Sequence, residues 1–437
     1  MERTLIADLG AHTGETVSLS GFVDVRRDQG KMVFFDFRDR SGMVQGVALP
    51  NSPALETAKE VRNEYVVTVT GIVNQRPEKN VQEGKVNGNI ELEITDIQIL
   101  SKAAELPFDK DTDLNLDTRF DYRPYTLRSE RDRDIFAVQA TIVEAYRQSL
   151  IRQGFMDFQA PALVGGDAEG GSAVFKVEYY NDHTAYLATS PQLYKQIMVG
   201  AFERAFTIAK IFRAEKSATT RHLSELTQMD FEMGFIKDET EVMAVLETVI
   251  RDTVQAVADK HAEVFPRLGT SMPLLGDKFP VLTLAEAHQI LGVEPADDME
   301  PEHERNICEW AKKEHGCDFV FITKFPVASR AFYTMADGDV LSRGFDLLFR
   351  GLEINSGAQR IHDHDEMVSR IESRGMDPKK FAFYLQAFKY GMPPHGGCST
   401  GLERLTGRML ELANVKEASA FPRDMNRIDT LLSSNEE

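Results

Sequence analysis

The sequence has few cysteines and no excess of positive charge. Cys308, Cys317 and Cys398 are three among 437 residues, and an odd number without CxxC spacing is typical of a reduced, cytoplasmic protein. Asp and Glu outnumber Lys and Arg by 69 to 50, which gives a formal net charge of −19. The chain as a whole is therefore no general binder of polyanions. If it binds nucleic acid, local patches must do so.

Long apolar runs and the common nucleotide motifs are also missing. No stretch of about 18 apolar residues is unbroken, and the N-terminus has neither the basic nor the apolar region of a signal peptide, so we expect a cytoplasmic protein without a membrane span. Neither GxxxxGK[ST] nor GxGxxG after a strand occurs, which excludes P-loop and Rossmann sites. The length predicts two or three domains.

Short runs that alternate with a period of two fill the first hundred residues. They predict five strands, with a helix at 52–61 between the third and fourth; the strands are at 16–23, 31–38, 42–47, 64–73 and 90–99. This layout is typical of an OB-fold barrel that binds oligonucleotides. Arg27 lies beside a turn, and Phe34 and Gln45 lie on neighbouring strands, where a ring can stack on a base and an amide can bond to it. A barrel used only for packing is the alternative.

The rest of the chain mixes helical and strand patterns. Residues 103–130 are rich in Asp, Arg and Pro and predict a hinge, so the predicted domains are 1–102 and 131–437. Apolar spacing predicts a helix at 132–153, with Gly154 as its C-terminal cap. Further helices are predicted at 239–261 and 401–412, and strands at 205–211, 225–235, 319–325 and 345–355. The predicted fold class is α+β, an antiparallel sheet with flanking helices.

Charged residues inside these apolar runs are informative, because buried strands seldom carry charge. Ile211–Glu215 is predicted to place Arg213 and Glu215 on one face of a strand, with Arg221 and His222 in the loop after it. Leu226–Met233 is predicted to place Asp230 and Glu232 on one face of the next strand. The other stretches are Asp346–Arg360 and Gly401–Leu405. Any one of them could be a structural ion pair. Together they offer both signs of charge, as the binding of a zwitterion and a nucleotide triphosphate with a divalent metal requires.

These stretches also carry a resemblance to a known family. The chain resembles the class II aminoacyl-tRNA synthetases, and among them the shorter aspartyl-tRNA synthetases of the archaeal and eukaryotic cytosolic type, over nearly its whole length. Similarity to motifs 1, 2 and 3 lies at 135–161, 212–232 and 401–405. Ser190–Gln196 and Ser356–Asp363 resemble the aspartyl signatures.

The resemblance implies an OB-fold anticodon-binding domain and a catalytic domain that uses ATP and Mg²⁺. It implies that L-aspartate is activated to aspartyl-adenylate and transferred to the 3′ end of tRNA(Asp), with tRNA(Asn) left open as a second acceptor. It also implies a homodimer formed through motif 1. No side-chain nucleophile is needed, because alignment and charge neutralisation can supply the catalysis.

The resemblance further assigns roles to individual residues. The implied ATP-binding residues are Arg213, Glu215, Arg221, His222, Glu353 and Arg404, of which Arg213 and Arg404 are catalytic. Asp346 and Glu353 match the metal carboxylates. Glu169 and Asp230 match the ligands of the substrate ammonium, Ser190 and Gln192 lie nearby, and Lys195 and Arg360 match the ligands of the β-carboxylate. Arg27, Phe34 and Gln45 match anticodon-binding positions.

Several alternatives stay open on the sequence alone. An asparaginyl-tRNA synthetase shares the motifs, an ammonia-dependent asparagine synthetase uses the same adenylate, and a catalytically silent relative could bind RNA. A zinc site at His303, Cys308, His315 and Cys317 is disfavoured by its irregular spacing. Ser399 stands where motif 3 usually has a glycine, so the approach of the backbone to ATP is in question.

Overall fold

The computed structural model describes residues 1–83, 87–108, 112–166, 173–216 and 219–432. The chain divides into two compact units, Met1–Asp113 and Leu114–Glu437. The hinge predicted at 103–130 is thereby divided between the two units, and its boundaries stay predictions. Within the described ranges, no helix is both long and apolar enough to cross a membrane.

The first unit is a closed barrel whose strands alternate inward and outward residues. Its described elements are β1 (Thr16–Asp28), β2 (Val33–Arg38), β3 (Met43–Ala48), α1 (Leu55–Glu60), β4 (Val66–Gln75) and β5 (Ile90–Ser101). The strand order is β1-β2-β3-β5-β4, and β4 pairs with β1 to close the barrel. Phe35 and Phe37 are buried inside, whereas Phe34, next to Phe35 on β2, lies on the outer face. The OB-fold prediction is confirmed.

The second unit is built on a large mixed sheet. The strands of this unit, in the main sheet and outside it, are among the described residues β6 (Met156–Asp157), β7 (Leu163–Val164), β8 (Lys176–Tyr179), β9 (His183–Leu187), β10 (Arg204–Phe212), β11 (Glu225–Gly234), β12 (Val281–Thr283), β13 (Phe319–Thr323), β14 (Ala336–Asp337), β15 (Leu341–Ser342), β16 (Gly344–Phe349), β17 (Leu352–Arg360) and β18 (His395–Gly401).

Helices cover this sheet and connect its strands. Those in the described ranges are α2 (Leu116–Asp121), α3 (Arg123–Thr126), α4 (Glu130–Arg152), α5 (Gln192–Phe202), α6 (Glu239–His261), α7 (Val264–Arg267), α8 (Leu284–Leu291), α9 (Pro301–His315), α10 (His364–Ser373), α11 (Ala382–Lys389) and α12 (Leu402–Met409). The strand order of the main sheet is β12-β13-β16-β17-β18-β11-β10-β6, and its central pairs are antiparallel. The predicted α+β architecture is confirmed.

One face of the main sheet is an apolar core and the other carries polar groups. On β11, Met229, Phe231 and Met233 pack with side chains of α4, α6 and α12. Because successive side chains of a strand point to opposite faces, Asp230 and Glu232 face the other side. Of the helices on the apolar face, α6 spans Glu239–His261 as predicted. The helix predicted at 132–153 spans Glu130–Arg152, and Gly154 after it has a positive φ of 81°.

The prediction of a single strand at 345–355 is wrong. The structure has a hairpin there, in which β16 turns into β17 at Arg350 and Gly351, with φ of 45° and 77°. The apolar residues on both sides hide this turn, because it contains neither proline nor asparagine. The hairpin places Asp346 opposite Ser356 and Leu348 opposite Glu353. The predicted helix at 401–412 is also shorter, since Gly401 still belongs to β18.

Candidate active site

A network of four buried charges lies on the polar face of the main sheet. The Nζ atom of Lys195, on α5, donates to Oδ2 of Asp230 at 2.8 Å and to the carbonyl of Cys398 at 2.9 Å. It also lies 3.4 Å from Oε2 of Glu232. Lys195, Asp230 and Glu232 are each 0% exposed. We call these three residues and Arg360 the charge network.

Arg360 completes the charge network at the end of β17. Its Nε donates to Oε1 of Glu232 at 2.9 Å, and its Nη2 donates to the carbonyl of Gly397 at 2.8 Å and to Oε1 of Gln192 at 3.4 Å. A Cβ atom at Gly397 would lie 2.2 Å from Oε2 of Glu232, so this position requires glycine. Nη1 of Arg360 forms no hydrogen bond with any residue that the structure describes.

The charge network is electrically balanced, with two cations and two carboxylates. Burial alone would raise the pKa of Glu232, but Arg360 and Lys195 hold that pKa below its ordinary value. Burial likewise opposes the charge of Arg360, but Glu232 raises the pKa of Arg360. Glu232 and Arg360 therefore stay ionised inside the protein, where an unpaired charge would be very costly.

The structure brings five of the six predicted aspartate-binding residues together at the charge network. Oγ of Ser190 accepts a hydrogen bond from the backbone of Gln192 at 3.1 Å. Nε2 of Gln192 and Oδ1 of Asp230 are buried and have no hydrogen-bond partner among the described residues. A donor and an acceptor of this kind fit a zwitterion. Glu169, the remaining predicted residue, lies outside the described residues.

A second buried layer supports the charge network from behind. The ring nitrogens of His395 lie 2.9 Å from the carbonyl of Pro393 and 3.0 Å from the side-chain amide of Gln196. The hydroxyl of Tyr384 also bonds to this amide, at 2.9 Å. Burial lowers the pKa of His395 to about 4, against the opposing effect of Glu232. This histidine is therefore neutral near pH 7.

Beside the charge network lies a cavity of about 170 Å³ that contains three arginines. We call it the arginine cavity; its lining residues are Arg213, Arg221, His222, Leu223, Leu226, Gln228, Glu353, Ile354, Ser356, Ser399, Gly401, Glu403, Arg404 and Val415. It unites five of the six predicted ATP-binding residues. The sixth, Glu215, is not among the lining residues; its carboxylate lies 3.8 Å from Nε2 of His222.

The three arginines of the arginine cavity are held in different ways. Arg213 lies past the end of β10, so its predicted place on the face of a strand is wrong. Its guanidinium forms no ion pair or side-chain hydrogen bond within the described part of the chain. Nη1 of Arg404 donates to the carbonyl of Glu353 at 2.9 Å and lies 3.6 Å from its carboxylate. Nη1 of Arg221 donates to Oε2 of Glu304 at 2.8 Å.

The two predicted metal carboxylates have different partners. Asp346 accepts two hydrogen bonds from Arg330, at 3.1 and 2.6 Å. Burial, and then Asp346, raise the pKa of Glu353 to about 7. A divalent cation would relieve this repulsion, and the oxygen-only donors fit Mg²⁺ that shares its coordination with phosphate. Among the described residues, no three acidic, His or Cys side chains converge as a metal site by themselves.

A second cavity, of about 410 Å³, lies on the outer face of the barrel. Phe34 and Gln45 both line it, together with Met32, Val47, Leu49, Arg76, Asn80, Gln82 and Glu91. Arg27 is not among its lining residues, because its guanidinium forms two hydrogen bonds with Asp36, at 2.8 and 3.0 Å. This ion pair also raises the pKa of Arg27. The cavity offers one ring and several amide groups, as a splayed base requires.

Three charged residues of the site are absent from the predicted set. Glu232 alternates with Asp230 on β11, and this pattern was the available signal. No sequence signal pointed to Arg330, which lies beside a short turn, or to Glu304, which lies within an ordinary amphipathic helix.

Comparisons with known proteins agree with this architecture. The model of the family "tRNA synthetases class II (D, K and N)" matches residues 115–425, and that of the "OB-fold nucleic acid binding domain" matches residues 17–100. The aspartate–tRNA(Asp/Asn) ligase of Thermus thermophilus is 42% identical, over 98% of this chain and 99% of its own length. The aspartate–tRNA(Asp) ligase of Pyrococcus abyssi is 36% identical, over 95% and 96%.

Solved structures give the same picture. The aspartyl-tRNA synthetase of Entamoeba histolytica superposes with a TM-score of 0.87 at 29% identity, covering 98% of this chain and 93% of that one. The asparaginyl-tRNA synthetase of Pyrococcus horikoshii, complexed with asparaginyl-adenylate, superposes with a TM-score of 0.88 at 29% identity, covering 98% and 99%. The fold alone therefore does not separate aspartate from asparagine as the substrate.

Proposed function

The chain belongs to the class II aminoacyl-tRNA synthetases and, among them, to the aspartate–tRNA ligases, and from this membership we propose that it activates L-aspartate with ATP and transfers the aspartyl group to tRNA(Asp). The observation that carries the proposal is the charge network. A free carboxylate on the side chain of the substrate would meet Lys195 and Arg360, while Asp230 accepts the ammonium.

The charge network supports aspartate rather than asparagine. Nη1 of Arg360 and Nε2 of Gln192 are donors, and neither has a partner in the described residues. Asparagine has nearly the same shape, but its side-chain amide lacks the negative charge. Its NH₂ group would also point N–H donors at the donors of Arg360 and Gln192. A site that leaves buried polar groups unpaired can discriminate by about 10⁴–10⁵.

In the first step, an oxygen of the aspartate α-carboxylate attacks the α-phosphorus of ATP. The bond from that phosphorus to the bridging oxygen breaks, so pyrophosphate leaves and aspartyl-adenylate forms. Arg213 supports this step, because its guanidinium lines the arginine cavity without an ion pair to any described residue and can bind the attacking carboxylate and the α-phosphate together. Arg404, held by Glu353, would bind the γ-phosphate, and Arg221 and His222 the bent triphosphate.

Bound Mg²⁺ would neutralise charge on the phosphate oxygens. Asp346, Glu353 and the hydroxyl of Ser356 are the groups that would hold it. Arg330 supports them, since it bonds to both Asp346 and Ser356. In the second step, a hydroxyl of the terminal ribose of the tRNA attacks the aspartyl carbonyl, and AMP leaves.

The barrel supports recognition of the tRNA. Its outer cavity exposes the ring of Phe34 next to the amide of Gln45, which suits stacking and hydrogen bonding of one anticodon base. We also propose a homodimer formed through α4 and the strand after it, and a cytoplasmic location, which the three free cysteines support.

A second acceptor, tRNA(Asn), is favoured by one observation. The relative from Thermus thermophilus, named for both tRNA(Asp) and tRNA(Asn), is 42% identical to this chain, whereas the one from Pyrococcus abyssi, named for tRNA(Asp), is 36% identical. We therefore propose that the enzyme also charges tRNA(Asn) with aspartate.

Two assays test this function. Pyrophosphate exchange into ATP should require aspartate and should not proceed with asparagine. Aspartate should then be attached to purified tRNA(Asp) and, by the second proposal, to purified tRNA(Asn). Exchange with asparagine would identify an asparaginyl-tRNA synthetase, exchange without any tRNA charging would favour an asparagine synthetase, and no exchange at all would favour a silent RNA-binding relative.

A further inference from the structure

The ion pair between Arg221 and Glu304 joins the arginine cavity to an element outside the family motifs. Glu304 lies on α9, far along the chain from Arg221. Its carboxylate accepts the 2.8 Å hydrogen bond from Nη1 of Arg221. Nη2 of Arg221 lies 3.5 Å from the carbonyl of Gly351, at the turn between β16 and β17. The guanidinium is therefore held from two sides.

Arg221 needs such support because its own segment provides little. It lies in the connection between β10 and β11, and its side chain is 21% exposed. A long side chain that binds phosphate from a free, mobile state loses rotamer entropy on binding. Because the Glu304 carboxylate and the Gly351 carbonyl already fix the Arg221 guanidinium, less rotamer entropy is lost when phosphate binds.

Burial of the Glu304 carboxylate at this place costs free energy, which indicates that the residue has a function there. It is only 9% exposed. Burial raises its pKa, against the opposing effects of the charge and hydrogen bond of Arg221 and the charge of Arg404. Arg404 is held in a similar way, since its Nη1 lies 3.6 Å from the carboxylate of Glu353. Each of these two arginines thus has its own carboxylate partner, buried for Arg221 and half-buried for Arg404, whereas Arg213 has none among the described residues.

We propose that Glu304 is a positioning residue for the β- and γ-phosphates of ATP: it holds the Arg221 guanidinium in the arginine cavity. A guanidinium has five N–H donors, so Arg221 can keep its bond to Glu304 and still donate to phosphate. This proposal rests on the proposed function and adds a residue that does not touch the substrate itself.

The test separates ligands with and without the terminal phosphates. In aspartate-dependent pyrophosphate exchange, Glu304→Ala should raise the KM for ATP and for pyrophosphate about tenfold, with the KM for aspartate unchanged. Binding of a non-hydrolysable aspartyl-adenylate analogue, which has no β- or γ-phosphate, should stay within twofold of wild type by calorimetry. Glu304→Asp should restore part of the effect.

Two controls keep the outcome decisive. Glu302→Ala changes an exposed residue on the same helix and should have no effect. In an Arg221→Ala background, Glu304→Ala should add nothing, because the residue that it positions is gone. Equal weakening of ATP and of the adenylate analogue, or full additivity of the two changes, would overturn the proposal. Absence of exchange in the wild type would instead refute the proposed function.

Discussion

The charge network and the arginine cavity are neighbours, but their charges are held in opposite ways. Lys195 and Arg360 are buried on regular elements and are neutralised by Asp230 and Glu232, without a substrate. The arginine cavity is more open, and Arg213 in it has no partner among the described residues. The first arrangement suits selection of a small substrate, whose every contact must be fixed. The second suits a flexible polyphosphate.

The two arrangements also differ in what a substitution would change. In the charge network, removal of one member leaves a buried charge uncompensated, which costs several kcal/mol. In the arginine cavity, removal of an arginine takes away a contact that is made mainly with substrate. Changes in the network should therefore alter substrate choice and stability, and changes in the cavity should alter rate.

The largest effect is expected from Arg213→Ala. Loss of the guanidinium that bridges the carboxylate and the α-phosphate should lower aspartate-dependent pyrophosphate exchange about a thousandfold or more, while the fold measured by circular dichroism stays intact. Lys210→Ala, an exposed change on β10, is the matched control and should retain normal exchange. Near-normal exchange in Arg213→Ala would show that the cavity does not align the reactants.

Arg360→Gln should have the next largest effect, and on the other site. It removes a charge-assisted contact worth roughly 3 kcal/mol, so kcat/KM for aspartate should fall at least a hundredfold. The KM for ATP should change little, because the arginine cavity is not altered. Steady-state exchange kinetics with each substrate varied in turn would measure both constants. An unchanged value for aspartate would remove Arg360 from the specificity pocket.

The layer behind the charge network predicts a pH dependence of stability. The pKa of His395 is about 4 in the folded protein, against 6.5 as its ordinary value. As the pH falls below 6.5 the unfolded chain therefore takes up this proton first, and stability is lost until the pH passes 4. Between pH 7 and pH 5 we expect a loss of about 2 kcal/mol from this histidine. Urea unfolding of the wild type and His395→Gln at both pH values would measure it; the same slope in both would contradict the assignment.

The smallest effect is expected outside both sites. Phe34→Ala should raise the KM for tRNA about tenfold, as the loss of one base-stacking contact would, and should leave pyrophosphate exchange unchanged. Separate measurements of charging and exchange would show this. If exchange fell together with charging, Phe34 would be a structural residue of the barrel.

Local patterns predicted most of the fold. The alternation in the first hundred residues predicted the five strands of the barrel, and the spacing of apolar residues predicted α6 at its observed ends. The hairpin at Arg350 and Gly351 was missed, because a turn made by positive φ angles at Arg and Gly leaves no strong local signal.

The site divides in the same way. The motif residues identified the candidate site, and the alternation along β11 predicted that Asp230 and Glu232 lie on one face of the strand. That Glu232 binds both Lys195 and Arg360 depends on how α5 and β17 approach β11, which is a matter of tertiary packing. The partners of Asp346 and Arg221 were beyond prediction for the same reason, since Arg330 and Glu304 come from elements without a motif.

The most direct test of the charge network is the choice between aspartate and asparagine. The ratio of kcat/KM for the two amino acids in pyrophosphate exchange, measured with the wild-type enzyme, should favour aspartate by about 10⁴ or more. Comparable values for the two substrates would contradict the account, because a pair of buried cations that selects a free carboxylate could not then be the basis of specificity.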